Sequence, residues 1–169
     1  MKTLLLGLGN PILSDDGIGV RVVEAAAADL PSSAAVDVRL MSVGGLRLME
    51  EMVGYDRAIV VDAWRCAPET AGSWRRLGLA ELESVCLTQH SASAHDTNLL
   101  TALKFGRKLH LPLPDPITIF AVDVMNVTDF GENLSPPVAA AIPSLVAAVR
   151  RELMPDMHVR PIEQDCVDG

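Results

Sequence analysis

The chain has 169 residues, of which 14 are basic and 22 acidic, for a formal net charge of −8. That length suits one domain able to bury about 70% of its unfolded surface, and an acidic chain with no basic stripe excludes nucleic-acid binding by phosphate neutralisation. With 49% hydrophobic and 21% charged residues the chain is not disordered, and three Phe, two Trp and one Tyr leave an aliphatic core without a base-stacking platform.

The first predicted element is a buried strand over Lys2–Leu8, closed by Gly9-Asn10-Pro11. Its apolar run is too short for a signal peptide and is followed by Asp15-Asp16 where a cleavage site would stand. After Gly17 the period changes: Ile18, Val22, Ala26 and Leu30 recur every four residues, with Val23 and Ala27 widening the stripe, which predicts an amphipathic helix. Ala35–Leu40 alternates as a strand and Leu46–Met52 suits a short helix. Arg57–Ala63 is a β-branched run ending near Asp62, the pattern of a central parallel strand covered on both faces.

Ser73–Leu77 reads as an edge strand, and Ala80–Ala94 as a mixture of helical turn and loop. A helical pattern restarts at Asp96, with Leu99, Leu100, Leu103 and Arg107 on one side, and stops before Pro112, Pro114 and Pro116. Ile117–Val122 is a second buried strand. Ser135-Pro136 is a helix start, with a hydroxyl at the N-cap and proline at the first helical position, and Val138, Ile142, Leu145, Val149 and Leu153 continue the apolar face. Pro143 is expected to kink or divide that helix. The expected organisation is one α/β domain over residues 1–153, a three-layer α/β/α sandwich on a mostly parallel sheet, with a mobile tail over 154–169. No apolar stretch approaches the length of a membrane span, so a cytoplasmic protein is expected.

In open α/β sheets ligands sit beyond the carboxyl ends of the strands. The polar residues after the predicted strands are Asn10, Asp15 and Asp16, then Asp62, then His90 and His95 before a helix, then Asp123. Two carboxylates and an imidazole would suit a borderline divalent ion such as zinc or nickel. Each also has a plainer reading: Asp16 as an N-cap, His95 as a surface or capping residue, and Cys66 as a small apolar side chain rather than a soft ligand. The three cysteines, Cys66, Cys86 and Cys166, form no C-x-x-C pair, which argues against a disulfide framework or a cysteine zinc site. The Gly7-Leu8-Gly9 pair lacks the third glycine of a dinucleotide turn, since Ile12 stands there, and Leu40-Met41 replace the ribose-binding acid. There is no G-x-S-x-G, H-E-x-x-H or P-loop pattern.

Four blocks in order resemble the NiFe-hydrogenase maturation endopeptidases, across about residues 3–153. They are Leu6-Gly7-Leu8-Gly9-Asn10-Pro11-Ile12-Leu13-Ser14-Asp15-Asp16-Gly17-Ile18-Gly19, then Gly45-Leu46-Arg47-Leu48-Met49, Ile59-Val60-Val61-Asp62-Ala63 and His95-Asp96-Thr97-Asn98-Leu99-Leu100-Thr101-Ala102-Leu103. The resemblance implies a single α/β/α domain that removes a C-terminal extension from a hydrogenase large-subunit precursor after nickel insertion. It also implies that Asp16, Asp62 and His95, in preference to His90, are the metal-binding and catalytic residues. The nickel would be carried by the substrate, and another divalent metal could occupy the same residues. The chain departs from many relatives at Leu40-Met41-Ser42-Val43, where an acidic-Gly-Gly-Thr stretch is common, which would place it in a variant subgroup. That departure gives weight to an alternative reading as a non-catalytic metal-sensing or chaperone module in hydrogenase assembly.

Overall fold

The structure is a computed structural model and describes residues 1–28, 30–31, 35–42, 44–65, 68–88 and 94–154. The apolar run at the N-terminus forms β1 (Thr3–Leu8), buried along its whole length. α1 (Ile18–Ala27), β2 (Val36–Met41), α2 (Leu46–Met52) and β3 (Arg57–Arg65) follow. Next come β4 (Trp74–Gly78), α3 (Leu79–Thr88), α4 (Ala94–Lys108), β5 (Ile117–Val124) and α5 (Pro136–Leu153).

The five strands lie in the order β2-β1-β3-β5-β4, all parallel except β4, which runs antiparallel on the edge. Because successive side chains point to opposite faces, each inner strand feeds two cores. Leu4, Leu6, Leu8, Val60, Trp64, Ile119 and Ala121 meet α2, α3 and α4 through Leu48, Met52, Leu82, Leu99 and Leu103. Leu5, Ile59, Val61, Phe120 and Val122 meet α1 and α5 on the other face through Ile18, Val22, Val138, Leu145 and Val149. The fold is therefore the expected α/β/α sandwich. From β1 the chain passes to β2 on one side and later returns to β3 on the other, so a crevice opens between the carboxyl ends of β1 and β3.

Several expectations are corrected. Ala80–Ala94 is more regular than its sequence implies, because α3 runs unbroken to Thr88. Arg107 is exposed; the buried face of α4 is completed instead by Ala102 and Gly106, where a Cβ on Gly106 would stand 2.6 Å from Met49 Sδ. α5 is one helix through Pro143, which neither divides it nor ends it. Val138, Ala141, Leu145 and Val149 bury a continuous stripe on both sides of the proline, and that packing outweighs one missing backbone donor. Met154, placed with the tail by its lack of periodicity, packs against the α1/α5 core; residues 155–169 lie outside the described residues. Among the described residues no helix is long and apolar enough to cross a membrane.

The end of α5 is tied to the sheet by charge. Arg57 Nη1 and Nη2 donate to the carbonyls of Glu152 and Leu153 at 3.1 and 2.6 Å, satisfying acceptors left open at a helix C-terminus. Arg76 of β4 makes two 2.9 Å hydrogen bonds to the Glu152 carboxylate, and Thr118 donates a third at 2.9 Å. The Arg76 bond, aided by Thr118, holds the Glu152 carboxyl below its ordinary value against the opposing effect of burial. A lowered folded value contributes stability above about pH 4.3, the ordinary glutamate pKa, and that contribution fades as pH falls through the folded value. Arg76→Ala is therefore expected to lower the thermal midpoint near neutrality, with the variant and parent curves converging in acid. A midpoint difference that stays constant down to pH 3 would count against this linkage.

Candidate active site at the β1/β3 crevice

The loop after β1 is built by short-range hydrogen bonds. Asn10, Pro11, Ile12 and Leu13 form a turn closed by Leu13 N to Asn10 O at 3.0 Å, and Asn10 Oδ1 accepts Ile12 N at 3.2 Å. A 3-10 turn over Ser14–Gly17 then leads directly into α1. Two glycines let this loop sit close to the sheet. Gly9 has φ +125°, and a Cβ there would stand 1.8 Å from Asp16 O; a Cβ on Gly19 would stand 2.2 Å from Leu8 O and 2.4 Å from Val61 O. The start of α1 is thereby pressed onto the carboxyl ends of both β1 and β3.

Asp16 is half-buried, and its Oδ2 accepts the Asn10 amide at 2.6 Å, while Oδ1 has no hydrogen bond among the described residues. The N-cap reading of Asp16 does not hold: Gly17 occupies the α1 N-cap and no side chain caps it. Asp15, its neighbour, is fully buried and points elsewhere, accepting Ser135 N at 2.6 Å, Ser135 Oγ at 2.9 Å and Asn126 N at 3.2 Å. Ser135 thus sits at the α5 N-cap, as its sequence predicts, but its hydroxyl serves Asp15 rather than the helix.

Asp62 does not end β3, which continues to Arg65. It is nevertheless at the crevice, because pairing between β1 and β3 stops at Gly7↔Val61, one residue earlier, while β5 extends alongside with Asp62↔Ala121. Asp62 is only 3% exposed in a strand of apolar residues, and its Oδ1 accepts the Ala63 amide at 2.8 Å. Its side chain shares a face with Val60 and Trp64, the face covered by α4.

His95 is the second residue of α4 rather than the residue before it, and α4 runs from the carboxyl end of the sheet back toward the start of β5. The His95 side chain, with His90 and Cys66, lies outside the described residues. Among the described residues no three His, Cys, Asp or Glu side chains gather as a ligand set. Asp123 is the penultimate residue of β5, not a residue beyond it, and is held by Arg75 Nη2 at 3.1 Å. The variant stretch borders the crevice: Ser42 Oγ donates to Gly9 O at 3.2 Å, and the amide of Gly9 donates to Met41 O at 3.0 Å.

Comparison with known proteins decides which family this crevice belongs to. The family model described as HycI, hydrogenase maturation protease, matches residues 20–152. The chain belongs to the hydrogenase maturation protease family. It is 29% identical to the hydrogenase 2 maturation protease of Escherichia coli K12, over 89% of this chain and 92% of that protein. It is 30% identical to the hydrogenase expression/formation protein HupD of Rhodobacter capsulatus, over 90% of this chain and 71% of that one. The solved structure of the hydrogenase maturating endopeptidase HybD from E. coli superposes with a TM-score of 0.76 at 28% identity, covering 92% of this chain and 93% of the other. This hydrogenase maturation protease is thus an endopeptidase. Two features escaped the sequence reading: the buried bonding of Asp15 to the loop before α5, and the Arg75–Asp123 contact. Both join residues more than 45 positions apart.

Proposed function

We propose that this protease removes the C-terminal extension of a hydrogenase large-subunit precursor once nickel has been inserted, and that Asp16, Asp62 and His95 recognise the nickel held by that precursor. The observation that supports this reading is the position of Asp16 in the loop after β1 and of Asp62 one residue past the last β1–β3 pair, in a protein of the hydrogenase maturation protease family. Carboxylate oxygens with a neutral imidazole suit a borderline ion. Asp16 has an oxygen uncommitted to other described groups, and Asp62 is held in place by the Ala63 amide, so both are oriented before the substrate arrives.

The ion, bound by the precursor's own ligands, serves as a docking point that sets the scissile peptide against the crevice. A carboxylate of the pair then accepts a proton from the attacking water as general base. Docking through the ion makes cleavage conditional on metal insertion, so an empty precursor is left uncut. The test uses purified protein with precursor prepared with and without nickel, following the released peptide by mass spectrometry. Cleavage confined to the nickel-loaded form is expected; equal cleavage of both forms would refute recognition of the metal.

A further inference from the structure

On the sheet face that carries Asp62, three side chains outside the metal-recognition set converge. Trp64 lies two residues after Asp62 on β3 and so points the same way. Asp123 is its partner on β5, and Arg75 on β4 stands opposite Ala121, itself opposite Asp62. The Arg75 side chain reaches back across β5: its Nη2 donates to Asp123 Oδ1 at 3.1 Å and its guanidinium carbon lies 5.0 Å from the centre of the Trp64 ring. An edge-strand arginine thereby brings its planar head beside the ring of Trp64, a residue whose place on β3 is about 6.6 Å along the strand from Asp62.

Held in this way, the head is under-used. Asp123 is 5% exposed and Trp64 1%, and among the described residues neither Trp64 Nε1 nor Arg75 Nε has a hydrogen-bond partner. Buried donors without acceptors are rare in native proteins and call for a specific explanation. The Arg75 side chain as a whole remains 39% exposed, and Asp123 engages one of its five N–H donors. The contact with the Trp64 ring and the bond to Asp123 restrain the guanidinium in advance, so less side-chain freedom is lost when an acceptor arrives. Asp123 offsets the positive charge, which disfavours a carboxylate ligand, whereas a neutral oxygen can meet the exposed part of the guanidinium without repulsion.

We propose that Trp64, Arg75 and Asp123 form a subsite for the main chain of the protein substrate, in which the Arg75 guanidinium donates to a peptide carbonyl beside the bond cut at the crevice. The proposal rests on the protease reading of that crevice and adds to it the group that aligns the substrate backbone.

The test compares wild type, Arg75→Gln and Arg75→Lys on nickel-loaded precursor. Loss of a charge-assisted hydrogen bond is expected to raise KM about tenfold or more, with kcat within about threefold of wild type. Arg75→Lys keeps the charge but loses the planar fork, and is expected to raise KM as well while preserving the thermal midpoint. It decides the matter should Arg75→Gln fail to fold. An unchanged KM in the folded variants, or a fall in kcat alone, would overturn the subsite. Calorimetric binding of the precursor gives an independent reading, with about tenfold weaker affinity expected for the variants and equal affinity refuting the proposal. Failure of the wild type to cut would instead count against the protease reading, and the two failures are thus distinguishable.

Discussion

Asp62→Asn is expected to reduce kcat/KM on nickel-loaded precursor by about 10²- to 10⁴-fold, the range associated with loss of a positioned general base. The substitution is nearly isosteric, and asparagine keeps an oxygen to accept the Ala63 amide that now meets Asp62 Oδ1 at 2.8 Å, so the variant is expected to fold. Peptide release followed by mass spectrometry reads the rate, and a melting curve on the same preparation checks that the fold is kept. If Asp62→Asn cuts at the wild-type rate, Asp62 is not in the reacting machinery.

The legible part of this fold is the part governed by local period. Ile18, Val22 and Ala26 announce α1 because one helical stripe is enough to describe a face packed on a sheet. Asp62 stood out because a carboxylate in an apolar strand needs a reason to be there. What stayed hidden depends on partners far away in sequence. Pro143 looks like a break until the stripe on both sides of it is seen buried against α1 and the sheet. Ser135 looks like a helix cap, yet its hydroxyl goes to Asp15, 120 positions earlier. Arg75 reads as an ordinary edge-strand surface residue, and becomes informative once β4 is known to run antiparallel beside β5, which brings Asp123 within its reach. The assignment of His95 rests on the family resemblance rather than on any periodicity, and its side chain lies outside the described residues.

Asp15 and Asp16 are adjacent and chemically identical, and they are expected to fail in different ways. Asp15→Ala removes the acceptor for Ser135 N, Ser135 Oγ and Asn126 N from a fully buried position. A fully buried donor left without an acceptor costs about 1–3 kcal/mol; these three donors are part-buried and each costs less, so a total loss of about 2–4 kcal/mol is expected. For a chain of this size that lowers the melting temperature by roughly 5–15 °C. The site loop should loosen with it, because Ser14 N also donates to Gly131 O at 2.7 Å and Asp15 N to Asn126 O at 3.0 Å, and both contacts depend on the 126–135 segment staying in place. Asp16→Ala instead removes a half-buried carboxylate bonded to the Asn10 amide, whose loss leaves a donor near solvent. It should shift the melting temperature by only a few degrees while reducing cleavage of nickel-loaded precursor at least 100-fold, an order-of-magnitude figure for a lost catalytic group. Melting curves and single-turnover cleavage on the two variants separate the roles. The reverse pattern, with Asp15→Ala stable and inactive and Asp16→Ala unstable and active, would exchange their assignments and move the site to the 126–135 side of the loop.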